Sequence, residues 1–281
     1  MSKIFIINNL GEKQPFSWRK VYQSALRVGA QKALAKQIAT RVEKEAYNNI
    51  RTSEIFKKVQ EYLYHDFPKG GMRFSLKEAM RKLGPSGFPF EKYVAEIFKR
   101  LGFAVQINQH LPGKCVFHEI DLLAKIDRQL LIGECKFHSL PGSRVDLKVA
   151  MATYACYLDL NTGGFFKKAS LKKLKTRPML ITNTKFTSEA IRYAECMKID
   201  LLGWRYPIDR GLEYVIESNK FYPITILPSL KGDLLNVCGK KQIMLAQDLL
   251  SIDFVHRAKK AGISEKRLLT LKQEAEILME D

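Results

Sequence analysis

Three charged side chains interrupt two apolar runs in the middle of this chain: Asp121 in HEIDLLA, then Glu134 and Lys136 in LLIGECKF. Unpaired charge is costly to bury, so acids and a lysine inside strand-like apolar segments need a reason to be there. Side chains alternate faces along a strand, which points Glu134 and Lys136 one way and Cys135 the other. The polar pair Asp127-Arg128 separates the two runs, and a hairpin through it carries Asp121 to the same edge. Two carboxylates and an ammonium meeting at one spot suit the joint binding of a divalent cation and a phosphate. Hard oxygens from Asp121 and Glu134 hold Mg²⁺ or Mn²⁺, and Lys136 faces the anion. The bland alternative is that acid–x–Lys pairs arise by chance, or that charges on an exposed strand edge prevent edge-to-edge association. The apolar surroundings favour the chemical reading.

The flanking segments read as the elements that would position these groups. In FPFEKYVAEIFKRLGFAV, apolar residues at Phe90, Tyr93, Val94, Ile97, Phe98 and Leu101 keep the spacing of one helix face, and Gly102 ends it. Glu91 opens this helix and Glu96 lies further along it. Glu119 shares a strand face with Asp121 and is a candidate outer ligand, while His118 and His138 flank the two strands as packing or surface histidines that the chemistry does not require. After Lys136 comes a helix read with Ser143 as N-cap and Asp146 at the capping-box position. A buried strand (PMLITNT), a helix capped near Thr187 or Ser188, and a short strand (DLLGW) follow.

This order, with Asp121 on one strand and Glu134-x-Lys136 on the next, resembles the D…(D/E)xK signature of restriction-endonuclease-like nucleases, in particular their Mrr-like and Holliday-junction-resolvase-like members. The resemblance implies an αβββαβ core with a mixed sheet covered by helices, spanning about 86–228. It implies Asp121, Glu134 and Lys136 as catalytic residues, with Glu91 completing the site from its helix. It also implies double-stranded DNA as substrate, a restriction or genome-defence role, and a homo-oligomer, since cutting two strands with one site per chain takes two chains.

Residues 1–85 read as a separate unit: a short strand, a turn at Asn8-Asn9-Leu10-Gly11, and two or three helices, with Thr52 or Ser53 as a candidate N-cap. Gly11, Pro15-Phe16, Lys20-Val21 and the RTSEIF stretch resemble the ATP-cone, a nucleotide-sensing module. That resemblance implies ATP or dATP as effector, with Lys13, Arg19 and Lys20 meeting its phosphates. Asn8 and Asn9 stand where the family usually has a Lys-Arg pair, so those positions bring no charge. A degenerate cone serving as a dimerisation or DNA-contacting domain is the alternative. Residues 229–281 read as a small helical region. There, Ala261-Gly262-Ile263-Ser264, with Lys259, Lys260, Lys266 and Arg267 around it, resembles a helix-hairpin-helix in which Ser264 replaces the second glycine. An ordinary two-helix packing module is the alternative.

Composition sets the outer bounds. At 281 residues and 46% hydrophobic, the chain supports more than one core and reads as multidomain α+β. Lys and Arg number 47 against 29 Asp and Glu, and the net charge of +18 suits a polyanionic partner such as nucleic acid. The five cysteines are scattered without zinc-ligand spacing, and no apolar run is long enough to span a bilayer or serve as a signal peptide, so the expectation is a cytoplasmic protein without a membrane partner. Other functional readings stay open: a nucleotide-sensing DNA-binding regulator with an inactive nuclease-like domain, a resolvase-like or repair nuclease, or an RNA-processing nuclease.

Overall fold

The computed structural model describes residues 4–84, 89–167, 173–251 and 264–280. Its contacts divide the chain into two compact units. The first gathers residues 1–79, 225–231 and 249–281; the second gathers 80–224 and 232–248.

In the first unit, β1 (Phe5–Ile7) pairs antiparallel with β2 (Lys13–Pro15) and parallel with β3 (Ile50–Arg51). Helices α1 (Trp18–Arg27), α2 (Lys32–Glu45) and α3 (Thr52–Asp66) turn Val21, Ala25, Ile38, Ala39, Val42, Val59 and Leu63 into a common core. Ser17 caps α1 by accepting from the Lys20 N–H at 3.2 Å. Neither Thr52 nor Ser53 caps α3. Arg51 occupies that position, and the Thr52 hydroxyl instead donates to Asn9 Oδ1 at 3.3 Å. Two short helices, α4 (Pro68–Phe74) and α5 (Leu76–Arg81), bring the helices before residue 85 to five, beyond the two or three that periodicity suggests. The close approach of α4 to α3 rests on Gly71, where a Cβ would lie 2.6 Å from the Tyr64 Cα.

The second unit opens with α6 (Phe90–Arg100), whose apolar face is buried and which stops at Gly102 with φ 90°. Strands β4 (Ala104–Pro112), β5 (Phe117–Ile126) and β6 (Gln129–Lys136) form an antiparallel meander, with Asp127 taking φ 48° in its second turn. Then come β7 (Arg144–Val145), α7 (Leu147–Thr162), β8 (Lys175–Thr182), β9 (Lys185–Phe186), α8 (Ser188–Met197) and β10 (Asp200–Leu202). The main sheet runs β10-β8-β6-β5-β4, parallel from β10 to β6 and antiparallel beyond, so it is mixed. Asp146, not Ser143, caps α7, accepting from the Val149 N–H at 3.2 Å, because Arg144 and Val145 are drawn into pairing with β9. Thr187 caps α8. Helices α9 (Leu212–Asn219) and α10 (Asp233–Lys240) complete the unit.

The last helix, α11 (Glu265–Met279), groups with the first unit. Its Glu274 is 7% exposed and accepts from the Ser229 N–H at 3.0 Å, the Ser229 hydroxyl at 2.7 Å and the Tyr64 hydroxyl at 3.4 Å. A buried carboxylate met by three donors is a strong anchor, and it ties α3, the 225–231 segment and α11 together. Of the helix-hairpin-helix-like joint, residues 261–263 lie outside the described residues, as do 85–87 of the breaker cluster at Gly84. Among the described residues no helix is long and apolar enough to cross a membrane.

Candidate active site

Asp121 stands where the regular pairing of the sheet gives out on both sides. Toward β6 the ladder ends at Leu122↔Gly133, so Asp121 is the first residue beyond it. The Asp121 Oδ2 atom accepts the Cys135 N–H at 2.7 Å, taking up a donor that a continued ladder would have used. Toward β4 the pairing passes from Ile107↔Leu122 to Gln109↔Ile120, skipping Asn108, whose φ of 52° lies in the left-handed region. The break on both sides turns Asp121 out of the ladder and toward the end of β6.

The other groups gather there. Lys136 Nζ lies 2.6 Å from Glu134 Oε1, so the two side chains share a face as strand alternation requires. Burial pushes the Asp121 carboxyl up to about 6; the Cys135 N–H opposes this, while the like charges of Glu134 and Glu91 add to it and that of Lys136 opposes it. The Lys136 ammonium is also half-buried, which pulls its pKa down, but the hydrogen bond to Glu134 and the charges of Glu134 and Asp121 leave it above its ordinary value. Glu91, in the first turn of α6, is thus within electrostatic reach of Asp121. The Cys135 thiol is raised well above its ordinary range, chiefly by burial, which leaves it a poor nucleophile.

Neighbouring residues hold this arrangement in place. Phe90, beside Glu91, packs against Phe137, beside Lys136, with ring centroids 6.0 Å apart. Past Lys136, the buried Asn183 side chain clamps the His138 main chain, accepting its N–H at 2.9 Å and donating to its carbonyl at 2.9 Å. Thr182 donates to the Lys136 carbonyl at 2.7 Å. Sequence reasoning passed over both, although polar residues ending an apolar strand are a usable signal.

Two of the remaining candidates have partners of their own, and a third is exposed. Glu96 pairs with Lys99 at 2.6 Å, and Glu119 is exposed. His118 Nε2 meets Asp159 Oδ2 at 2.8 Å, in a second cluster that the sequence did not announce. Asp159, on α7, also accepts the N–H groups of Cys115 and Val116 from the β4–β5 turn at 3.0 and 3.4 Å. Its carboxyl falls to about 2, first because of His118 and then through the thiol and main chain of Cys115. Gly113 makes room: a Cβ there would stand 2.0 Å from Asp159 Oδ2.

At the front of the chain, Asn8 is consumed by its own turn. Its Oδ1 accepts the N–H groups of Leu10 and Glu12 at 2.9 and 3.0 Å, and its Nδ2 donates to Glu12 Oε2 at 2.8 Å. Asn9 is engaged by Thr52. The turn therefore uses these amides to shape itself. Lys13, Arg19 and Lys20 are exposed.

Among the described residues, no group of three or more His, Cys, Asp or Glu side chains is gathered closely enough to hold a metal as they stand. The donor set that could take one is Asp121 with Glu134, once Lys136 leaves Glu134.

Residues 222–279 match a family described as AF1548-like, C-terminal. An uncharacterised protein of Archaeoglobus fulgidus is 36% identical over 174 residues, which cover 62% of this chain and 92% of that protein. A crystal structure described as that of a protein of unknown function, AF1548, is similar with a TM-score of 0.55 and 34% identity, over 66% of this chain and 94% of the other. By the extent of that shared sequence, the chain belongs to the AF1548-like family.

Proposed function

We propose that this chain is a divalent-metal-dependent deoxyribonuclease of the restriction-endonuclease-like, Mrr-like type, cutting double-stranded DNA in the cytoplasm as a homo-oligomer with a restriction or genome-defence role. The single observation that carries the reading is Asp121 at a break in a mixed sheet, within electrostatic reach of the Glu134–Lys136 pair and of Glu91. The helix–three strands–helix–strand–helix–strand order around it supports the same core. The front end would act as an ATP-cone-like sensor of ATP or dATP, through Lys13, Arg19 and Lys20.

The donor set fits a hard cation. Asp121 and Glu134 offer carboxylate oxygens, and a carboxyl titrating at about 6 is ionised at neutral pH yet poorly solvated, which favours a cation over water. When bound, Mg²⁺ or Mn²⁺ supplies Lewis-acid stabilisation of a phosphate oxygen and acidifies water. Lys136, freed from Glu134, turns to the scissile phosphate and offsets the charge that develops on it. Glu91, in the first turn of its helix, would complete the site beside Asp121 and Glu134.

The reading is tested by incubating the protein with supercoiled plasmid, linear duplex, a four-way junction and duplex RNA, each with and without Mg²⁺ or Mn²⁺. Metal-dependent nicking of plasmid and linear duplex is the expected result. Preference for the junction moves the assignment to a resolvase, metal-independent RNA cleavage moves it to RNA processing, and no cleavage of any substrate rejects it.

A further inference from the structure

Along α2 in the first unit runs a groove of about 500 Å³ lined, among the described residues, by Ala33, Lys36, Gln37, Thr40, Arg41 and Lys44. No acid lines it. Of the two acids on α2, Glu43 lies off the groove, and Glu45 is taken by Lys58 at 2.6 Å, by the Tyr62 hydroxyl and by Arg41 at 3.4 Å. Arg41 is also stacked on the Tyr62 ring, 3.9 Å from its centroid, so its guanidinium is held in place. Thr40 accepts from the Trp18 indole at 3.2 Å and keeps its own hydroxyl proton to donate. Lys36, Thr40 and Lys44 follow at four-residue steps, about 6 Å apart along the helix axis. Phosphates on one strand of a duplex are spaced by ~3.4 Å along its axis, so side chains at this spacing are on the scale needed to meet successive backbone charges.

We infer that this face of α2 is a contact surface for the phosphate backbone of double-stranded DNA. The complement is one of charge: Lys36 and Lys44 lie in a row with the Thr40 hydroxyl between them. Among the described residues that line the groove none is aromatic, and the Tyr62 ring is covered by Arg41, which favours a phosphate backbone over a stacked mononucleotide. The inference rests on the proposed action on DNA and adds where the first unit grips it.

The experiment is duplex binding by fluorescence anisotropy in EDTA across a salt series, comparing wild type with two double variants. Lys36→Gln with Lys44→Gln removes the stripe; Lys57→Gln with Lys198→Gln removes the same charge from exposed positions elsewhere. Two lost phosphate contacts lower the slope of log K against log salt by roughly 1.8 and weaken binding about tenfold or more. The control pair should change both far less. Equal effects of the two pairs overturn the α2 surface while leaving DNA binding intact, whereas a wild type that binds no duplex removes the proposed function itself. In parallel thermal scans, loss of an ATP-induced stabilisation in the Lys36/Lys44 variant with unchanged DNA binding overturns the inference in favour of a nucleotide site.

Discussion

Asp121 and Asp159 lie in the same unit, each partly withdrawn from water, yet their carboxyls move in opposite directions, up to about 6 and down to about 2. The difference lies first in burial, which lifts Asp121, and then in the donors, which hold Asp159 down. Asp159 is met by an imidazole, two main-chain N–H groups and a thiol, so its charge is satisfied from within the fold. Asp121 receives the Cys135 N–H while facing two further carboxylates. A satisfied carboxylate is a fastening, here of the β4–β5 turn to α7. An under-satisfied one, held in place by the strand it sits on, has free acceptor capacity, and on the proposed reading a cation takes it up. Asp159 therefore steadies the far end of β5, the strand that presents Asp121.

The comparison breaks most visibly in stability. Asp159→Ala strips one acceptor from several donors at once and should lower the melting temperature by several degrees at pH 7, read by circular dichroism. The pH dependence follows from its depressed pKa: the stabilisation is present above the ordinary value of 3.8 and is lost as pH falls through about 2. Asp121 runs the other way. Its raised pKa means the folded state holds a proton that the unfolded state has released, so its contribution weakens as pH rises from 3.8 to about 6 and stays low above. Asp121→Asn keeps an acceptor for the Cys135 N–H but removes the charge. It should raise the melting temperature at pH 7.5, with the gain vanishing below pH 4. A loss of stability in that variant would mean that Asp121 is a second fastening.

Part of this was legible in the sequence. Charges inside LLIGECKF and HEIDLLA marked the hairpin, and the spacing around Glu91 marked the helix beside it, because strand and helix periods are local properties. Asp159 was not legible: an acid near the end of a helix looks like a solvated face until the β4–β5 turn folds onto it. The membership of α11 in the first unit was hidden for the same reason, since the Glu274 anchor joins residues 45 and 210 positions apart. Asn8 misled in a different way, as a replaced cation in sequence and a turn-maker in structure.

A smaller effect sharpens the comparison. Millimolar Mg²⁺ or Mn²⁺ should raise the wild-type melting temperature by a few degrees through mass action, and leave both Asp121→Asn and Glu134→Gln unmoved. An equal rise in all three would place the cation elsewhere. The smallest shift belongs to the front end. ATP or dATP should stabilise the wild type slightly, and Asn8→Lys should not simply strengthen that response, because it also removes the amide that shapes the turn. A stronger nucleotide response in a fully stable Asn8→Lys protein would show that the turn does not depend on this amide.

The most direct measurement of the central claim is a single-turnover cleavage rate. Protein is bound to supercoiled plasmid in EDTA, the reaction is started with excess Mg²⁺, and wild type is compared with Glu134→Gln and Lys136→Gln. The account predicts metal-dependent nicking by the wild type and a rate lower by about 10²-fold or more in each variant, with plasmid binding retained, since these groups act on charge that develops during the reaction. Equal rates in all three proteins, or nicking that proceeds without metal, would contradict it.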